Sequence, residues 1–333
     1  MLKIGDNRFH SNKGTAYALF LLGICLLTSL SVSDALSAQD TSRPFVIKEQ
    51  VNLVELPVTV RDGKGRFVPN LDISNFRVYE DGRPQEITLF RNEDIPVIVG
   101  LVVDHSGSMA SKELEVALGA QAFVQASNPQ DREFVIDFNE YVSFGLPKNV
   151  AFTSNVDDLR TALSSISASG KTALYDAVAT ALEAIQKDSL DKKVLLLISD
   201  GGDDASKRNF TEVLRMAQTL NVTIYSIGLF DQNSADQNPK VLKKFADETG
   251  GSAYFPNSAS ETMSVCRQIA EDIRHQYTLG YSPPSLDRSG YRKIRVNVNA
   301  PGRGKLFART RAGYYFAAPT TTEASPPAKH ARP

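Results

Sequence analysis

Three short stretches concentrate side-chain oxygens where the chain turns. "DHSGSM" places Asp104, Ser106 and Ser108 on a tight loop in which Gly107 permits close backbone approach. "SDGGDD" places Asp200 on a second Gly-rich turn, and "SASGKTALYD" carries Thr172. Carboxylates accompanied by hydroxyls form a donor set for a hard divalent cation, because Mg²⁺ takes near-octahedral oxygen ligation and keeps several waters. No His or Cys cluster competes for a softer metal. Abundance and ligand size favour Mg²⁺, with Mn²⁺ or Ca²⁺ as the alternatives.

Other chemistries fit these stretches less well. Gly170-Lys171-Thr172 is the triplet that closes a nucleotide-binding phosphate loop, but the first glycine of that motif would stand at Ser165 and a helical segment precedes it. Nucleotide is therefore not expected. Ser106 or Ser108 as a hydrolase nucleophile would need a Gly-x-Ser-x-Gly elbow, which "VDHSGSMA" lacks. His105 is adjacent in sequence only, and reads as a loop-facing side chain. A phosphatase-like use of Asp104 would want a carboxylate where Ser106 stands. No nucleophile, base and orienting group assemble, so catalysis is not expected.

The elements that must position these residues alternate. "IPVIVGLVVD" is an almost unbroken apolar run ending at Asp104, and "KKVLLLISD" is another ending at Asp200. Such runs suit central strands of a parallel sheet covered on both faces. Helical patterns lie between them, including "ALYDAVATALEAIQK", which starts just after Thr172. Strand and helix alternate from 95 to 274, predicting an α/β doubly wound, mostly parallel sheet. Ligands of such sheets bind beyond the carboxyl ends of the strands. Thr172 joins the site if its helix runs back over the sheet. Asp203 and Asp204 read as a solvated acidic turn, Asp137 and Asn139 as a strand end, and Asp176 as support for a helix start.

The flanks have a different texture. Segment 45–92 is strand-like, and "FRVYEDGRPQEITLF" reads as a hairpin turning at Asp-Gly. Segment 275–316 returns to strands, and the two flanks are expected to pair in one accessory all-β, sandwich-like module, since separate small sheets would bury little. The Pro-, Ala- and Thr-rich tail 317–333 is expected to be disordered.

Composition narrows the partners. The 333 residues suffice for about two domains, and a net charge of -1 gives no general attraction for nucleic acid. Residues 1–38 read as an export signal, with Lys3, Arg8 and Lys13 ahead of "AYALFLLGICLLTSL" and cleavage expected after Ala38. An uncleaved N-terminal anchor, giving membrane attachment, is the alternative. A periplasmic, extracellular or cell-envelope location follows from either. Cys25 in "LGIC" makes a poor lipid-attachment box. Once the signal is removed, Cys266 remains alone on an apolar helix face and reads as core.

"DHSGSM", "GKTALYDA" and "LLLISDGGDD" resemble the Asp-x-Ser-x-Ser, Thr and Asp elements of the von Willebrand factor type A domain, the metal-ion-dependent adhesion site. The wider chain resembles the exported VWFA-related proteins abundant in acidobacteria. The resemblance implies that the Ser106, Ser108 and Thr172 hydroxyls meet the cation, with Asp104 and Asp200 acting mainly through bridging waters and hydrogen bonds. It also implies a non-enzymatic role, in which an Asp or Glu carboxylate of a protein partner completes the metal shell. Lys171 departs from the family pattern, which commonly has a second glycine there. The alternatives are a structural or assembly subunit whose cation only steadies the loops, and a metal-dependent hydrolase.

Overall fold

The computed structural model describes residues 53–163, 168–188, 190–231, 237–283 and 289–316, and the counts below are of these residues. The export segment 1–38 with Cys25, the tail 317–333 and Ser165 lie outside them.

The chain begins with strands β1 (Val54–Asp62), β2 (Phe76–Glu80), β3 (Arg83–Gln85) and β4 (Leu89–Arg91). It then alternates through β5 (Ile98–Asp104), α1 (Glu113–Ala126), β6 (Arg132–Phe138), β7 (Val142–Phe144), α2 (Val156–Leu163) and α3 (Leu174–Gln186). The alternation continues with β8 (Lys193–Ser199), α4 (Phe210–Thr219), β9 (Val222–Gly228), α5 (Pro239–Thr249), β10 (Ala253–Tyr254) and α6 (Ala259–Arg274). Strands β11 (Tyr277–Tyr281), β12 (Gly290–Val298), β13 (Leu306–Arg309) and β14 (Gly313–Phe316) follow.

The central sheet has six strands in the order β10-β9-β8-β5-β6-β7, parallel except for the edge strand β7. Every residue of β5 is buried, as its uninterrupted apolar run requires between two helical layers. The starts of α4, α5 and α6 are marked by side-chain caps. Asn209 accepts from Glu212 N, Asn238 from Val241 N, and Ser258 from Glu261 N. Helices α1 and α6 approach closely because Gly119 has no side chain: a Cβ there would lie 2.8 Å from Thr262 and 3.2 Å from Cys266. Cys266 is fully buried in this contact, and burial pushes its thiol up to about 12.

The flanks interleave in two antiparallel sheets, β13-β1-β11-β4 and β14-β12-β2-β3. Leu56, Val58, Phe76, Tyr277 and Leu279 share the core between them. Asp81 and Gly82 turn the β2–β3 hairpin with φ of 48° and 81°, as a primed turn demands. The extended run after this turn does not form a single hairpin arm. Arg83–Gln85 pairs with β2, whereas Leu89–Arg91 crosses to β11 in the other sheet.

Helix α6 runs into β11 through His275 and Gln276. Gln276 Nε2 donates to Tyr225 Oη (3.0 Å) on β9, and Arg61 on β1 pairs with the buried Asp272 of α6. The sandwich is thereby tied to the last helix of the α/β domain.

Candidate metal centre

The chain leaves β5 for β6 on one side and later adds β8 and β9 on the other, so strand order reverses between β5 and β8. That reversal opens a crevice beyond their carboxyl ends. Asp104 is the last residue of β5, Ser199 the last of β8, and Asp200 the next.

Asp104 is 1% exposed. Its Oδ1 accepts from Ser106 N (2.9 Å) and its Oδ2 from Ser199 Oγ (2.5 Å). Ser106 Oγ and Ser108 Oγ stand 3.2 Å apart. The second loop is laid against this one: Gly107 N donates to Gly170 O (3.0 Å), and Ser169 N donates to His105 O (2.9 Å). Gly170 has φ +80, and a Cβ on it would lie 1.7 Å from Glu140 Oε2, which accepts from Lys171 N at 2.8 Å. Only glycine fits that turn. The third loop closes on the second, since Asp204 N and Ala205 N both donate to Thr172 O at 3.0 Å. Gly201, at φ +83, passes so near Asn238 O that a Cβ would lie 2.4 Å from it.

Ser108, Gly170, Lys171, Thr172 and Asp203 border a single cleft of about 270 Å³. Asp104 and Ser106 lie buried on the first of these loops, and Asp200 on the third. Asp200 is 1% exposed; its Oδ1 accepts from Gly202 N (3.0 Å), and its buried Oδ2 has no hydrogen-bond partner.

Electrostatically the site carries excess negative charge. Burial pushes Asp104 up to about 6 against the hydrogen bonds from Ser106 and Ser199, and the charge of Asp200 pushes the same way. Among the described residues no three His, Cys, Asp or Glu side chains gather as metal ligands. The residues fit a divalent cation: Ser106, Ser108 and Thr172 offer neutral oxygens, and Asp200 Oδ2 is an anionic oxygen without a partner. Neutral ligands leave a divalent ion incompletely neutralised and able to take an external anion.

Several side chains behave otherwise than their sequence setting suggests. Asp203 and Asp204 do more than form a solvated turn, although the Asp204 side chain is 55% exposed. Asp204 Oδ1 accepts from Thr172 N (2.8 Å), and Asp203 Oδ1 accepts from Tyr175 N (3.2 Å) and Ser206 Oγ (2.5 Å). Both carboxylates clamp the Thr172 loop. Asp176 does more than support a helix start, because its oxygens accept from Lys207 N (2.9 Å) and Arg208 N (3.0 Å). His105 does not face the loop surface: it is 4% exposed, and its Nε2 lies 3.1 Å from Asp137 Oδ1. This pair buttresses the first loop from beneath. Burial raises the carboxyl of Asp137 above its ordinary range, and the hydrogen bond to His105 opposes it.

Ser199 and Glu140 drew no attention in the sequence. Ser199 lies at the end of an apolar run, and Glu140 is far along the chain from the backbone it holds. Lys171 points outward, its side chain 68% exposed and Nζ 3.9 Å from Asp204 Oδ2. Among the described residues, the element that precedes the Gly170-Lys171-Thr172 loop is helix α2, where a phosphate loop requires a strand.

The fold and these loops define a Rossmann-like α/β domain with a cleft at the switch point of its sheet. The family model for the von Willebrand factor type A domain matches residues 99–202. The chain is similar to a UPF0353 protein of Mycobacterium sp. strain KMS, 23% identical over 312 residues, covering 83% of this chain and 90% of that protein. A UPF0353 protein of Mycobacterium tuberculosis strain H37Ra is 24% identical over 299 residues, covering 79% and 86%. Among solved structures, the von Willebrand factor type A protein from Catenulispora acidiphila is similar at 13% identity and TM-score 0.49, covering 75% of this chain and 74% of that one. The conserved hypothetical protein BatB from Bacteroides thetaiotaomicron is similar at 15% identity and TM-score 0.44, covering 54% and 98%.

Proposed function

We propose that this is an exported, non-enzymatic binding protein that uses a divalent cation, with Mg²⁺ first in order of fit, to capture an Asp or Glu carboxylate of a protein partner. Domains of this family serve mainly as adhesion or interaction modules, which supports a binding role. The apolar run behind a basic N-terminus supports export to the envelope.

The observation that carries the reading is the buried, unpartnered Oδ2 of Asp200 at a site already holding the buried Asp104. Two carboxylates held together without a cation are costly, and a buried acceptor left unmatched adds to that cost. The cation would be held by Ser106, Ser108 and Thr172, with Asp104 and Asp200 supporting it. When bound, it supplies a positive charge at the cleft. Asp104 orients Ser106 through the backbone, Ser199 orients Asp104, and Asp204 fixes Thr172.

The loops are joined by backbone hydrogen bonds that owe nothing to a cation, which favours a docking role over a purely structural one. Calorimetric titration with Mg²⁺ and Mn²⁺ should show saturable binding to the wild type and none to Asp200→Ala, while chelation leaves far-ultraviolet dichroism unchanged. A pull-down from the native envelope should then retain proteins with the wild type in Mg²⁺ that Asp104→Ala loses. Equal cation binding by Asp200→Ala would overturn the site, and identical partner lists would overturn the docking.

A further inference from the structure

Near the amino-terminal end of β8, the sandwich carries a charge that the metal centre does not use. Arg311 lies where the chain crosses from β13 in one sandwich sheet to β14 in the other, and it is 7% exposed. Gly250 allows this placement. At φ +91 it ends α5 so near the crossing that a Cβ on it would lie 2.5 Å from Arg311 N.

The guanidinium is poorly matched. Its Nη2 donates to Glu55 O (3.0 Å), but its buried Nε has no acceptor. The groups that act on its charge are aromatic: the Tyr314 ring lies 5.1 Å away, and Tyr281 and Tyr291 are the others. Glu55, whose carbonyl it touches, has its carboxylate 4.0 Å from Arg91 instead. Burial lowers Arg311 to about 10, which leaves it charged at neutral pH. A cation taken out of water beside rings and one carbonyl lacks the counter-charge that normally accompanies such burial.

Arg311 also lines a surface crevice of about 470 Å³ whose walls come from both modules. Glu55 and Tyr315 belong to the sandwich, Asp191 and Lys193 to the amino-terminal end of β8, and Gln218 to helix α4. We propose that this crevice binds an oxyanion, the carboxylate or phosphate group of a small ligand, through the planar fork of Arg311 with Lys193 at the wall. Arg suits this task because its parallel N–H groups match two oxygens of such a group at once. Asp191 and Glu55 oppose dense negative charge, so a singly charged group is preferred to a polyphosphate. Because both modules contribute walls, occupancy braces the sandwich against the α/β domain, away from the cleft at Thr172.

The test is an NMR titration of the full chain labelled with ¹⁵N-arginine, free of divalent cations so that the result is independent of the metal centre. Acetate and inorganic phosphate are titrated separately against chloride at constant ionic strength. One arginine Nε–Hε signal should move saturably, with a dissociation constant on the order of millimolar. Arg311→Lys, which keeps the charge and loses the fork, should remove that signal and weaken binding at least tenfold, read by the anion-dependent rise in melting temperature. Lys193→Gln should weaken it less. The two arms decide between carboxylate and phosphate. Absence of a saturable shift with either anion, or an equal thermal response in Arg311→Lys, would overturn the proposal; the first outcome needs no variant to fold.

Discussion

Glu133 offers a sharp test of how this fold treats buried charge. It points inward from β6, is 2% exposed, and neither carboxylate oxygen has a hydrogen-bond partner. The Ser127 hydroxyl, which donates to Phe123 O (3.1 Å), opposes the effect of burial without offsetting it, and the charge of Asp131 adds to it. Burial therefore pushes the carboxyl from 4.5 up to about 8. The unfolded chain releases this proton above 4.5, while the folded chain keeps it to about 8. Stability is fully present below the lower value and is lost as pH rises toward the upper one. Each pH unit in that window is worth up to about 1.4 kcal/mol, so the loss is on the order of 3 kcal/mol by about pH 7. Glu133→Gln removes the titration. Urea melts of both proteins at intervals between about pH 5 and pH 8 should show the stability of the variant relative to wild type growing with pH. A difference that stays constant across the window would refute the reasoning, whatever its absolute size.

Three further outcomes follow from contacts around the site and the module junction. Gly170→Ala forces a side chain into a left-handed turn against Glu140; thermal melts should show a loss on the order of 2 kcal/mol, and Mg²⁺ titration should show weakened binding. Arg61→Met strips the buried Asp272 of its cation and should cost about 3 kcal/mol in urea melts, whereas adding Asp272→Leu should recover most of it. Lys171→Gln should change Mg²⁺ affinity by less than about threefold in calorimetry, because an exposed ammonium 3.9 Å from Asp204 is both screened and offset.

The sequence showed the sheet more plainly than the clamps around its site. The strands ending at Asp104 and Ser199 were legible because parallel strands buried on both faces must be apolar throughout, and few other elements read that way. Asp104, Ser106, Ser108, Thr172 and Asp200 stood out because they carry oxygens on turns beside those strands. What holds the loops did not stand out. The Glu140 contact with Lys171 N and the Asp204 contact with Thr172 N each span about thirty residues of chain, and no local pattern encodes them. His105 misled for a related reason: a polar residue in a Gly-Ser loop looks solvated until a buried Asp137 is brought beneath it from a neighbouring strand. The second arm of the expected hairpin failed because alternation marks a strand without naming its partner, and Gly280 on β11 receives Leu89 closely enough to capture it.

A cation and one carboxylate make too small a contact to specify a partner, because stable interfaces bury roughly 800 Å² on each side. Exposed apolar side chains stand on elements that contact the Thr172 loop, the start of α1 and the β6–β7 turn. Tyr141, 75% exposed, follows the Glu140 that holds Lys171 N, and Leu114, 73% exposed, follows the Glu113 that accepts from Ala168 N. Each exposed side chain is thus adjacent in sequence to a residue that pins the Thr172 loop. Under the proposed function, a partner reaching the cation with an acidic residue would cover these side chains with its neighbouring apolar ones. The two exposed acids would then serve twice, holding the loop that presents Thr172 and setting where the apolar side chains stand relative to it. Under the same proposal, Lys171, which lines the cleft with its ammonium partly offset by Asp204, would meet a second acidic group on the partner, so that an acidic and apolar segment is the chemistry this reading calls for.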